Sequence, residues 1–165
     1  MRDESRLIHC EHVSTRSFDE VIAAFEAEIG HAEVEMLRRA VEGSSSRGDF
    51  EARIKALEGR SGFMLFFEAD HGGWMARVGL KARGKMYVIG NPLIARTMIE
   101  HEIGVGLNVP VRVLIYEDPK GRGVVAYDLP SSLMERLKSD QVTAAARRLD
   151  EKLAALAEIV SGVAA

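Results

Sequence analysis

The chain has 165 residues, 47% of them hydrophobic, 28% charged and 6% aromatic, and its 22 Lys and Arg face 25 Asp and Glu for a net charge of −3. This is the composition of an ordinary globular domain, and it excludes a disordered chain, a collagen-like repeat and, with Cys10 standing alone, a disulfide scaffold. A mildly acidic balance also gives no general attraction to nucleic acid.

Leu7 to Thr15 reads as a strand, with Ile8, Cys10 and His12 on one face. Ser17-Phe18-Asp19-Glu20 is a capping box, and Val21, Ile22, Phe25 and Ile29 continue it at helical spacing until Gly30. A second helix is expected from about Ala32 to Glu42. Gly43 to Gly48 forms a flexible loop, and Asp49 caps a short third helix closed by Gly59. The period then changes. Phe63 to Phe67 is a short apolar strand, and Trp74, Ala76, Val78 and Leu80 alternate as a second one after the Asp70-His71-Gly72-Gly73 turn. Ala82-Arg83-Gly84 turns the chain into a third strand, Met86 to Ile89, completing an antiparallel meander.

Gly90-Asn91-Pro92 marks a helix start. Asn supplies the cap, and Pro loses nothing at the first helical position, where its N–H would be free anyway. Val111 to Tyr116 and Val124 to Tyr127 are two further strands around the Asp118-Pro119-Lys120-Gly121 turn. Pro130 opens a short helix and Asp140 a long one reaching about Val160. Its Val142, Ala146, Leu149, Leu153, Leu156 and Val160 form a narrow apolar seam that suits either packing on the chain's own sheet or a dimer contact. Helices and strands fall in separate runs. The expected fold is therefore α+β: one domain over residues 1–165 with a mostly antiparallel sheet of five or six strands, covered by helices, and an extra C-terminal helix over 140–161.

From Gly62 onward the residues Gly90-Asn91-Pro92, Gly106-Leu107-Asn108-Val109-Pro110, Val111 to Glu117, and Gly123 to Asp128 followed by Pro130 carry a resemblance. In these the chain resembles a bacterial and archaeal family known only as domain of unknown function 302. The amphipathic helix over Phe18 to Ile29 also fits. The resemblance implies a compact α+β domain that commonly self-associates and has no established activity. Against that family pattern the helical stretch 31–59 reads as an insertion, and Gly90 stands where many relatives place Cys before Asn-Pro, so thiol chemistry is not expected there.

Several constellations bear on function. His9-Cys10-Glu11-His12 holds metal-ligand side chains, but on a strand they point to alternate faces, and no second pair completes a tetrahedral set. No metal and no cofactor are expected. Glu100-His101 at a helix end and His71 in a turn would serve acid–base chemistry if the fold joined them; a helix dipole alone also favours a terminal His. No nucleophile elbow, dinucleotide loop or Walker lysine is present.

Residues 61–99 form a basic island, with five bases against two acids, between two acidic flanks. The expected ligand site is the helix start at Asn91 with Arg83, Lys85 and Arg96 as cations and Phe66, Trp74 and Tyr87 as aromatic walls, suited to a small anionic molecule. The N-terminal residues carry acids and lack an apolar run, no stretch is long enough to cross a bilayer, and Cys10 is unpaired, so a cytoplasmic location is expected. The sequence therefore reads as a cytoplasmic small-ligand-binding or protein-interaction module, homodimeric, without membrane or nucleic-acid partners. An enzyme using His71, His101 and Glu100 is the alternative.

Overall fold

Ser17 both ends the first strand and starts the first helix. In the computed structural model, which describes residues 4–31 and 34–163, β1 spans His9–Ser17 and α1 spans Phe18–Glu28. The Ser17 hydroxyl accepts from the backbone N–H of Glu20, while the Glu20 carboxylate accepts from that of Ser17 at 2.8 Å. Two donors left free by the helix start are thereby satisfied. α1 then turns Phe18, Val21 and Phe25 inward, and Ile29 follows them.

The chain continues through α2 (Val34–Glu42), α3 (Arg47–Lys55), β2 (Met64–Asp70), α4 (His71–Arg77), β3 (Gly84–Gly90), α5 (Pro92–Ile99) and a 3-10 turn over Ile103–Leu107. Next come β4 (Val111–Glu117), β5 (Arg122–Asp128), the short α6 (Pro130–Met134), a 3-10 turn over Glu135–Leu137, and α7 (Asp140–Ser161). The five strands form one antiparallel sheet in the order β1-β5-β4-β3-β2. The fold is thus α+β, a single domain with a C-terminal helix. Among the described residues, no helix is long and apolar enough to cross a membrane.

The strand expected over Trp74 to Leu80 is a helix instead. Asp70 explains the difference: its carboxylate accepts from the Gly73 N–H at 2.8 Å and caps α4. The alternation there has no buried face to serve, since Trp74, Val78 and Leu80 are 56%, 65% and 51% exposed. The three-strand meander is therefore the hairpin β2–β3 with a helical connection.

One face of the sheet packs Tyr87, Ile89, Val111, Val113, Ile115, Val125 and Tyr127 against α1, α5 and α7. The seam of α7 belongs to this core, with all six of its residues buried. The alternative of a dimer contact along α7 is accordingly overturned, because those side chains are consumed by the chain's own sheet. The opposite face carries Glu11, Val13, Phe67, Ala69, Met86, Val88, Arg112, Leu114, Tyr116, Val124 and Ala126 and lies away from that helical layer. Helices α2 and α3 rest on a small separate core of Ala40, Ile54 and Met64, flanked by Leu37, Phe50, Leu57, Phe66 and Leu93.

A backbone joint ties these layers together. The carbonyl of Phe63 accepts from Gly30 at 2.8 Å and from Gly59 at 2.9 Å, and Leu65 donates to the Gly30 carbonyl at 2.8 Å. A Cβ at Gly59 would overlap Gly30 and the Glu28 carbonyl, so only glycine permits this approach. Gly59→Ala is expected to destabilise the fold by about 1–3 kcal/mol, read as a lowered urea midpoint at unchanged slope.

Candidate functional site

The start of α5 is a crowded junction. Asn91 is 6% exposed, and its side chain is fully used: Oδ1 accepts from Leu93 N–H at 2.8 Å, and Nδ2 donates to Glu58 at 2.7 Å and to the Gly62 carbonyl at 2.8 Å. Asn91 thus serves as a structural tie rather than as an open donor.

Beside this junction lies a chamber of about 430 Å³, within the roughly 300–1,000 Å³ of small-molecule sites. Phe63 and Phe66 come to it from β2, Ile89 and Gly90 from β3, Ile94, Ala95 and Ile99 from α5, Val109 to Val111 from the entry to β4, Phe50 from α3 and Leu149 from α7. Gly90 matters here because a Cβ at this position would press on Pro110 across the wall. Among the described residues, Asn91 and Arg96 supply the only polar side chains of the lining.

Arg96 is incompletely paired. Its Nη1 donates to Glu51 at 3.1 Å, while its Nε is buried and has no acceptor. A buried donor left unsatisfied costs roughly 1–3 kcal/mol, so the Arg96 Nε counts against stability where it stands. Glu51 is shared: Arg47 donates to it at 2.9 Å, and Arg47 first, then Arg96, hold its carboxyl below the usual glutamate range. Arg47 lies outside the chamber, and the carboxylate of Glu58 stands at the same junction, beside Asn91.

A second cleft of about 340 Å³ shares Asn91, Ile94 and Leu149 with the chamber and adds Arg148 and Lys152 of α7. The Lys152 ammonium lies 5.7 Å from the centroid of Phe63, whose ring also walls the chamber.

The residues expected to form one site are divided. Asn91 and Arg96 meet at the chamber with Phe66. Arg83 and Lys85 sit at the other end of β3, about 20 Å away by the rise of six strand residues, and both cations are already paired. Arg83 donates to Asp19 and to Glu117 at 3.2 Å and covers the Phe18 ring. Burial opposes the charge on Lys85, but Glu26 at 3.3 Å and Glu68 at 3.7 Å outweigh it and hold its pKa above the ordinary value. Tyr87 is in the core against Phe25, and its hydroxyl donates to Glu26 at 2.8 Å; burial and that carboxylate push its pKa up. Trp74 lies exposed on α4.

Phe50, Arg148 and Lys152 carried no signal in the sequence beyond lying on predicted helices. His71 accepts from the Trp74 indole at 3.3 Å, and His101 lies 4.0 Å from Glu100. Among the described residues, no hydrogen bond or ion pair joins His71 to either of the other two.

At the N-terminal strand, His12 stacks on Tyr127, whose phenol burial pushes up to about 12, while His9 and Glu11 face the open side. Among the described residues, no cluster of three metal-ligating side chains occurs.

Residues 39–160 match the family described as domain of unknown function DUF302. The chain belongs to this family. The fold agrees with that of an uncharacterized conserved protein DUF302 from Bacillus stearothermophilus, with a TM-score of 0.63 over 92% of this chain and 97% of that one at 15% identity. At that identity the likeness is one of fold. No curated protein matches the chain.

His9 donates to the Asp128 carboxylate at 2.8 Å, and this bond, aided by Glu11, raises its pKa above 6.5 despite the opposing loss of solvent. The pairing therefore contributes stability fully below pH 6.5 and loses it as pH rises through the raised value. His9→Gln is expected to lower the thermal midpoint at about pH 5.5, with the difference fading towards about pH 9.

Proposed function

We propose that this chain is a binding module for a small molecule with an apolar body, held in the chamber between α5, α3 and the ends of β2 and β3. The observation that carries this reading is the chamber itself: about 430 Å³ of aliphatic and aromatic wall, with one incompletely paired cation in it. The lone Cys10, with no partner for a disulfide, fits work in the reducing cytoplasm. Binding is read from the fluorescence of N-phenyl-1-naphthylamine, a neutral probe that brightens in apolar surroundings. The native protein is expected to bind it saturably. Ala95→Phe, which fills the chamber, is expected to weaken binding at least about tenfold while the fold, read by circular dichroism, persists. Equal binding by both proteins, or none by the native one, removes the chamber from consideration.

A second reading concerns self-association, supported by the open sheet face. Val13 and Phe67 on that face are 41% and 56% exposed, and the face measures about 24 Å across five strands and about 20 Å along them. Two such faces would bury on the order of 1,000 Å², the lower end of specific interfaces. Its charges favour a second copy as the occupant. Arg112 on β4 and Glu11 on β1 flank β5, so a two-fold axis over β5 lays each copy's Arg112 on the other's Glu11. Arg112→Glu is expected to give a folded monomer by light scattering after size exclusion, and the added Glu11→Arg to restore the dimer. A native monomer at about 100 μM, weaker than specific dimers of this size, counts against it.

A further inference from the structure

Resting on the ligand-binding reading above, we infer that the chamber's ligand is an uncharged molecule built on a flat aromatic ring system, received by Phe50, Phe63 and Phe66. The three phenyl rings reach the lining from two parts of the chain, Phe50 from α3 and the other two from the start of β2. None of them stacks on another ring. The ring–ring contacts among the described residues join His12 to Tyr127, Phe25 to Tyr87 and His71 to Trp74. Phe63 does meet the Lys152 ammonium at 5.7 Å, a group that lines the neighbouring cleft and not the chamber. Aromatic rings favour offset or edge-on ring partners with centroids about 4.5–7 Å apart. The chamber thus gathers three rings, leaves each without a ring partner, and encloses the room in which a ligand could supply one.

The wall offers nothing to a charged group. Asn91 has its donors and its acceptor spent on Glu58, Gly62 and Leu93. Arg96, the one charged residue of the lining, gives Nη1 to Glu51 at 3.1 Å, and its unpartnered Nε is buried out of a ligand's reach. Its charge therefore already faces a carboxylate. Every other side chain of the lining is hydrocarbon. A carboxylate or ammonium carried into this wall would leave water without gaining a partner, a cost that burial of apolar surface does not return. A saturated body is accepted by the aliphatic part of the wall, but only a ring system draws on the three phenyl groups as well. At about 430 Å³ the chamber has room for a fused or linked pair of rings.

The test displaces N-phenyl-1-naphthylamine with 1-naphthalenemethanol, its saturated decahydro counterpart, 1-naphthoate and 1-naphthylmethylamine. The proteins are the native chain, Phe50→Leu, Phe66→Leu and the double variant, and each result is read as an inhibition constant. The saturated alcohol is the more water-averse of the two, so transfer from water alone would rank it first. The native protein is instead expected to bind the aromatic alcohol about 3–10-fold more tightly, the range of ring–ring contacts. Naphthoate and the amine are expected to bind at least about tenfold more weakly than that alcohol. Each substitution by Leu keeps the wall apolar and is expected to lower the aromatic preference, and the two together to remove it, with the saturated alcohol held within about threefold. Circular dichroism identifies the folded variants, and the single substitutions carry the comparison if the double variant unfolds. Three results overturn the assignment while leaving the chamber a ligand site: a native protein without preference for the aromatic alcohol, a preference undiminished in the folded variants, or a charged compound that binds as tightly as that alcohol. Failure of all four compounds to displace a bound probe overturns it too, whereas absence of probe binding to the native protein overturns the reading beneath it.

Discussion

The carbonyl oxygen of Phe63, taking two N–H groups from two different segments, holds the molecule together. Gly30 reaches it from the end of α1 and Gly59 from the end of the α3 segment, and neither approach tolerates a side chain. One residue later the chain enters β2, and the adjacent Gly62 carbonyl receives the Asn91 side chain that starts α5. Three helices and the edge of the sheet are thus registered at one point. The chamber lies against that point, so its shape follows from backbone contacts rather than from adjustable surface loops.

Local chemistry made much of the fold legible. Ser17 and Glu20, Asn91 with Pro92, and the seam of α7 each follow from a short-range rule, and each is present. The segment after Asp70 failed for a physical reason. Alternating apolar residues make a strand only where one face can be buried, and residues 74–80 have no such neighbour, so the capping carboxylate decided the outcome. The site was legible only in part. Asn91 and Arg96 lie together because they sit on one helix and its cap, and the pairing of β2 with β3 brings Phe66 alongside them. Arg83 and Lys85 belong to the same basic run, but a strand separates neighbours in sequence by its full length. No sequence rule states that a cation already has a carboxylate waiting on another element, as Glu26 and Asp19 wait here. Phe50 enters the chamber through tertiary packing alone.

The two faces of the sheet divide the labour. One is spent entirely on cohesion, to the point of enclosing the phenol of Tyr87 beside Glu26. The other leaves Val13 and Phe67 exposed beside His9, Glu11 and Arg112, while Val124 and Ala126 of β5 are buried. Charged side chains on such a face oppose indiscriminate pairing with other chains.

The small core beneath α2 and α3 has a consequence for motion. Phe66 and Phe50 serve it and the chamber at once, yet it contains only Ala40, Ile54 and Met64 as fully enclosed side chains. Cooperative detachment of this helical pair disrupts far less apolar contact than any opening of the main core. Phe50 and Phe66 therefore tie the stability of the small core to the walls of the chamber.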